Sequence, residues 1–274
     1  MKKQKLLLFA VFLFSLLLYS FIEPHWISTD SIEYPHKDIP ASFDGYTIAF
    51  ISDFHAGKYF SKTRLEETVH IINKLTADLV VLGGDYTNGD TETIPWCFEV
   101  LGNIKARSGV YGVLGNHDHY GSAELTRKVM LKNNIQVLDN TSVWISYKGE
   151  RIKLGGVGDL LTDLQNTKST VSDVYDDDFV VLLSHNPDYA EMLPTSQIDL
   201  MLSGHTHGGQ VTFFGLFAPI LPTTTEQKYR SGLVKGPRCD VFITNGIGTI
   251  TTPVRFFARP QISVIKLKAK NTAR

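Results

Sequence analysis

Nine residues of this 274-residue chain stand where apolar runs end, and their types are those that hold metal ions and move protons. Asp53 and His55 follow Thr47–Ser52, Asp85 follows Leu79–Gly84, and Asn116, His117 and Asp118 follow Val110–Gly115. His185 follows Phe179–Ser184, and His205 and His207 follow Leu200–Gly204. Carboxylate, amide and imidazole donors without cysteine suit hard or borderline divalent cations. Seven of the nine read as ligands: Asp53, His55, Asp85, Asn116, His185, His205 and His207. Seven exceed one tetrahedral site and suit two ions roughly 3.5–4 Å apart, as in two-metal hydrolases. Asp85 offers two oxygens that can bridge both ions. In extended backbone, Asp53 and His55 would project to the same side, as would His205 and His207. Two such ions bind a phosphate oxygen and lower the pKa of a bridging water, so that hydroxide attacks phosphorus in line. His117 lies outside the paired motifs and reads as general acid for the leaving group, with Asp118 orienting it.

These residues converge only if the runs before them are strands. Each run is short, β-branched and bounded by glycine or a polar turn, as buried strands are. Ligands just beyond such strands gather along one sheet edge, where open α/β folds place their sites. Helical spacing of Leu65, Val69 and Ile72 predicts a helix over 61–75, with Thr63 and Glu66 as a capping box. Ile94, Phe98, Leu101 and Ile104 predict a second helix, ending at Ser108-Gly109. Ser122 is the expected cap of a third helix, and Asn186-Pro187 opens a fourth. Residues 143–158 turn to short strands, and 241–244 and 262–267 add two more. This order predicts an α/β fold of two packed sheets with helices outside. The acidic stretch Asp173–Asp178 reads as a solvated loop.

Together Asp53-x-His55, Gly84-Asp85, Gly115-Asn116-His117-Asp118, Ser184-His185 and Gly204-His205-Thr206-His207 resemble the complete motif series of the calcineurin-like metallophosphoesterases. The resemblance runs from about Tyr46 to Leu267. It implies a four-layer α/β/β/α sandwich, with a dinuclear centre and His117 as the catalytic histidine. Asp53, His55, Asp85 and His207 would hold the first ion, and Asp85, Asn116, His185 and His205 the second. Two divalent cations are the implied cofactor, manganese first, with iron, zinc, cobalt or nickel as alternatives. Gly208-Gly209-Gln210, Ala218–Pro222, Asn245–Thr249, Pro253–Arg255 and Arg259-Pro260 are similar to one bacterial branch of the family. That branch holds membrane-associated phosphodiesterases related to the UDP-2,3-diacylglucosamine pyrophosphatases. Thr223–Lys228 departs from the branch pattern.

Substrate contacts are expected from Asn116, Arg255 and Arg259, the arginines as bidentate clamps on a phosphate or diphosphate. The apolar loop Phe213–Leu221 reads as a membrane-proximal wall that meets acyl chains. The expected activity is hydrolysis of a phosphodiester or pyrophosphate bond in a lipid-linked or envelope substrate. A phosphomonoesterase or nuclease of the same fold is the alternative, as is a non-catalytic membrane-tethered metal-binding protein. A formal net charge of -1 lacks the cationic surface that polyanions recruit, so no nucleic-acid partner is expected.

Met1-Lys-Lys-Gln-Lys precedes an apolar stretch from Leu6 to Ile22, ended by Glu23-Pro24. Its length meets the lower limit for a membrane span of ~17–25 residues, and no A-x-A-like cleavage site follows it. Residues 1–23 therefore read as an uncleaved signal anchor of a single-pass bacterial membrane protein. The lysines predict a cytoplasmic N-terminus and an extracytoplasmic catalytic domain, with a cytoplasmic-face or secreted domain as alternatives. Residues 24–45, with Pro24, Pro35 and Pro40 around them, read as linker and lead-in, and 46–270 as the catalytic domain. His25, His36 and His70 carry no assigned role, and His119 is expected to be a solvated loop residue. Cys97 and Cys239 lack motif spacing and read as small buried hydrophobes, with a disulfide between them as the alternative if the domain lies across the membrane.

Overall fold

Alternation of side chains along the central strands builds the layers of this molecule. The computed structural model describes residues 2–270, in two six-stranded sheets. Its strands are β1 (Ser28–His36), β2 (Thr47–Ile51), β3 (Leu79–Leu82), β4 (Val110–Gly112), β5 (Ile135–Val137), β6 (Ser142–Tyr147), β7 (Glu150–Gly156), β8 (Val180–Leu183), β9 (Leu200–Ser203), β10 (Gly232–Lys235), β11 (Asp240–Ile243) and β12 (Gln261–Ala269). The first sheet has the order β1-β12-β2-β3-β4-β5 and the second β10-β11-β9-β8-β7-β6. Ile48 and Phe50 of β2 and Leu79 and Val81 of β3 face Leu200, Leu202, Val181 and Leu183 of the second sheet in one shared core. The intervening Ala49, Ile51, Val80 and Leu82 face the other way, into a core beneath helices. Val180, Leu182 and Met201 likewise turn outward from the second sheet. Period two is therefore satisfied on both faces of each central strand, which is why these runs are apolar throughout.

Helix α1 (Lys2–Ile22) stands apart from the sheets, with no buried residue. Helices α2 (Lys62–Lys74), α3 (Thr93–Leu101), α4 (Asn116–Gly121) and α5 (Ala123–Lys132) belong to the first sheet's connections. Helices α6 (Lys168–Val171) and α7 (Tyr189–Met192) are single turns over the second. The cap of α2 is Ser61, whose hydroxyl accepts from the Arg64 N–H, and not Thr63. Ser122 caps α5 as expected, accepting from Leu125 N–H.

Residues 24–45 are not a linker. Strand β1 pairs with β12 in parallel register from Ser28↔Gln261 to His36↔Ala269. Tyr34 is buried in the intersheet core and donates to Asp240 Oδ2 at 3.1 Å. Pro35 is tolerated because β1 is an edge strand and no ladder hydrogen bond is lost on its open side. Glu23 also belongs to the folded unit: its fully buried carboxylate accepts from the Phe257 and Ala258 N–H groups, both at 2.7 Å. Cys97 and Cys239 are separate buried thiols.

Candidate functional site

The five runs end together. Strands β2, β3, β4, β8 and β9 deliver Asp53/His55, Asp85, Asn116/His117, His185 and His205/His207 to one edge shared by both sheets. Convergence does not come from extended backbone. Asp53, His55, Asp85, His205 and His207 all have positive φ, between 47° and 67°, a conformation rare for residues with a Cβ and concentrated at functional sites. The chain folds back at each strand end, and the turn aims the side chain. Close approach requires glycine beside them: a Cβ on Gly204 would collide with Ser52 Oγ and Asp53 Oδ2.

Hydrogen bonds on the outside of the cluster set the imidazoles. A carbonyl oxygen only accepts, so the nitrogen facing it carries the proton and the other presents a lone pair. His185 Nδ1 lies 2.7 Å from the Gly83 carbonyl, His205 Nε2 lies 2.9 Å from the Pro222 carbonyl, and His55 Nδ1 lies 2.8 Å from Asn88 Oδ1. Their inner nitrogens then crowd together: His55 Nε2 is 3.0 Å from His207 Nε2, and His205 Nδ1 is 3.3 Å from His185 Nε2. Asn116 Oδ1 is buried without a hydrogen-bond partner. Inward-facing imidazole nitrogens and an orphaned amide oxygen gathered around one point form a donor set that a cation would fit.

Two ligand groups result, Asp53/His55/His207 and Asp85/His185/His205, and a third combination brings His117 together with His55 and Asp85. Asp85 Oδ2 lies between the two main groups, 3.6 Å from His55 Nε2 and 3.2 Å from His185 Nε2. Its other oxygen accepts from His117 N–H at 2.9 Å, so a single oxygen, not the pair, faces both groups. Burial lowers His55 and His205 to about 4, the second assisted by the His185 charge, and takes His207 well below its ordinary value. These three are neutral donors at neutral pH. Burial would raise the Asp85 carboxyl, but neighbouring His185 overrides it and holds it well below the usual range. His185 is raised in turn against its own burial. A divalent cation between the two would replace the proton they share. Asp53 is pushed up to about 6 by burial.

Outside comparison identifies this arrangement. The model of the calcineurin-like phosphoesterase family matches residues 46–209. The chain belongs to that family. Its members use divalent metals, and this metallophosphoesterase is accordingly a hydrolase of phosphoric esters. The uncharacterized metallophosphoesterase YkuE of Bacillus subtilis (strain 168) is 32% identical over 260 residues, covering 92% of this chain and 89% of that one. A Danio rerio transmembrane protein with metallophosphoesterase domain is 28% identical, covering 86% of this chain and 56% of its own length. Here the chain spans little more than half of the longer relative. Haemophilus influenzae NAD nucleotidase superposes with a TM-score of 0.50 at 15% identity, over 74% of this chain and 50% of that one, which shows a shared fold.

Three site expectations are corrected by the geometry of this phosphoesterase. Asp118 does not orient His117. Its carboxylate accepts from the N–H groups of Asp85 (2.8 Å), Gly115 (2.9 Å) and Tyr86 (3.0 Å), so it locks two ligand loops together. Each of those buried amides would cost about 1–3 kcal/mol if left without an acceptor. Burial, reinforced by the Asp85 charge, takes the Asp118 carboxyl well above its ordinary range.

Arg255 is not a phosphate clamp. It is fully buried, and its guanidinium donates to the carbonyls of Gly248, His207, Ala258, Asn245 and Gly246. One Nη also approaches His207 Nδ1 at 3.5 Å. It ties the 245–248 and 255–258 loops to His207. Arg255→Lys is expected to strand at least two of these carbonyls, at about 2–4 kcal/mol, and to lower the Tm by about 5–15 °C. Thermal unfolding and steady-state kinetics check this. An unchanged Tm with a raised KM would restore the phosphate-clamp role.

Arg259 is also elsewhere: its guanidinium stacks 4.2 Å above the Trp26 ring, and it lines a separate cavity with Tyr19 and Glu23. His119 is not a solvated loop residue but half-buried in α4, 3.9 Å from Asp163. Sequence reasoning missed Asp159 and Asn88. Asp159 is buried, its Oδ1 has no partner, and its charge acts on His185 and His205. Gly156-Val-Gly-Asp159 at the end of β7 repeats the signal of the other strand ends. Asn88 lies three residues past Asp85 and had no signal of its own.

Proposed function

We propose that this chain is a dinuclear metal-dependent phosphodiesterase or pyrophosphatase whose substrate carries an apolar group beside the scissile phosphate. The supporting observation is the cavity over the ligand groups. It has a volume of about 820 Å³, with Asp85, Asn116, His117, His205 and His207 among its lining and Val211, Ile220, Leu221 and Ile250 as apolar wall. Asp53, His55, Asp85 and His207 would hold one ion, and Asp85, Asn116, His185 and His205 the other. Divalent cations bound there polarise a phosphoryl oxygen and activate water. The remaining work falls to the chain. Gly83, Pro222 and Asn88 keep three imidazoles turned inward, His117 gives a proton to the leaving oxygen, and the apolar wall holds the hydrophobic group and excludes water.

Likeness of the C-terminal motifs to the branch around the UDP-2,3-diacylglucosamine pyrophosphatases agrees with a lipid-linked substrate. The lysines before α1 favour a catalytic domain on the far side of the membrane. In that orientation lipid-linked phosphates of the envelope are the accessible class, and a cytoplasmic nucleotide-linked lipid is not. Manganese is the expected resident metal.

The full chain in detergent, supplied with manganese, tests this on paired aryl phosphodiester and aryl phosphomonoester substrates. Diester turnover is expected, with monoester turnover at least tenfold slower. The reverse preference would make the protein a phosphomonoesterase, and no turnover with any divalent metal would leave a tethered metal-binding scaffold.

A further inference from the structure

Exposed large apolar side chains are densest along two stretches, and both stretches pack on Phe256 and Phe257. One is α1, whose 21 residues rise about 31 Å at helical pitch, the ~30 Å thickness of a hydrocarbon core. Its mean hydropathy over an 18-residue window is 2.3. The other is the loop beyond the histidine pair, where Phe213, Leu216 and Ile220 are 66%, 79% and 82% exposed.

They meet at the carboxy end of α1. The Tyr19 ring lies 5.8 Å from Phe256 and 5.4 Å from Phe257, and the Phe214 ring lies 5.9 and 5.1 Å from the same two. The Arg255 N–H donates to the Ser20 carbonyl at 2.9 Å. Glu23 accepts from the amides of Phe257 and Ala258. The last turn of α1 is thus fixed to the aromatic loops rather than hinged beside them. With α1 across a bilayer, Tyr19 lies where hydrocarbon meets headgroups, and every group packed on Tyr19 lies at that depth. Exposed Trp26, with Arg259 over its ring, is the amphipathic pairing favoured there.

We propose that Val211–Leu221, with Phe256 and Phe257, docks into the lipid leaflet at the carboxy end of α1. The mouth of the phosphoesterase cavity, walled by Val211, Ile220 and Leu221, then opens at headgroup depth. A phosphate on an amphiphile of that leaflet reaches the ligand groups while its apolar tail stays out of water. The surface rests on the reading of α1 as a membrane anchor, and it narrows the proposed substrate to amphiphiles of one leaflet.

The test uses the full chain in phosphatidylcholine vesicles with brominated acyl chains, which quench tryptophan on contact. Reporters are Phe217→Trp and Ile220→Trp on the loop, Leu13→Trp within α1, and Tyr175→Trp on the acidic loop, where Tyr175 is 73% exposed. Each is read against the parent chain with its three tryptophans, and unchanged melting confirms folding. The loop reporters are expected to shift blue and lose most of their added emission, as Leu13→Trp does, while Tyr175→Trp keeps its own. Loop reporters quenched no more than Tyr175→Trp would overturn the proposal. A blue shift without bromine quenching would also overturn it, because the loop would then be covered by protein, such as a second copy. An unquenched Leu13→Trp would remove α1 from the bilayer and the docking surface with it. Hydrolysis of a soluble aryl phosphodiester by the parent chain in the same vesicles reports on the proposed activity independently of docking.

Discussion

Asp85→Asn is expected to lower kcat/KM on an aryl phosphodiester by roughly a thousandfold or more, equivalent to about 4 kcal/mol of transition-state stabilisation. Asp85 Oδ2 lies 3.6 Å from His55 Nε2 and 3.2 Å from His185 Nε2, one in each candidate ligand group, and His185 is raised by that negative charge. An amide cannot supply the charge, so both ion positions weaken together. Bound metal, counted by elemental analysis after gel filtration, is expected to fall along with activity. The backbone contact from His117 N–H can persist, since an amide oxygen still accepts there. Full metal content with lost activity would show that Asp85 is not a bridging ligand. Full activity would sink the dinuclear reading altogether. Chelation of the unmodified protein should reproduce the loss, and manganese should restore it.

His117→Ala carries the second-largest effect, a fall in kcat of about 10²–10⁴ where the leaving group is a poor one. The ring of His117 sits on the cavity wall, packed edge-on against His55 at 4.8 Å and Tyr120 at 5.3 Å. Its Nδ1 is buried with no partner, so the fold holds the imidazole without engaging that nitrogen. A proton donor matters most when an alkoxide must leave and least for a nitrophenolate. Metal content is expected to stay unchanged, and the loss should shrink steadily as the leaving group improves. If metal is lost in proportion to activity, His117 is a ligand in the third combination of donors rather than an acid. Asp118→Asn separates the two motif residues: it should lower stability, through the amides of Asp85, Tyr86 and Gly115, more than it alters the dependence on leaving group.

Family, donor chemistry and the strand-end placement of the site were legible in the chain because they are local properties. An apolar run and the residue that ends it are neighbours in sequence, and burial of both faces of β2, β3, β8 and β9 follows from their unbroken apolar composition. The roles of the flanking residues were not local. Arg255 looked available for phosphate until five carbonyls, as distant as that of His207, were found around it. Asp118 looked like a partner for the adjacent imidazole, yet it faces amides of another loop 33 residues away.

Sequence by itself thus supplied the candidate donor residues and the order in which the chain presents them. Tertiary structure alone decided how those atoms are aimed. The Gly83 carbonyl that turns His185 inward is 102 residues away, and the strand that converts a proline-marked linker into β1 is β12, at the other end of the chain. Such partners are chosen by closure of the two sheets, which must find hydrogen-bond partners for most of the polar groups it buries. No window of sequence contains that requirement.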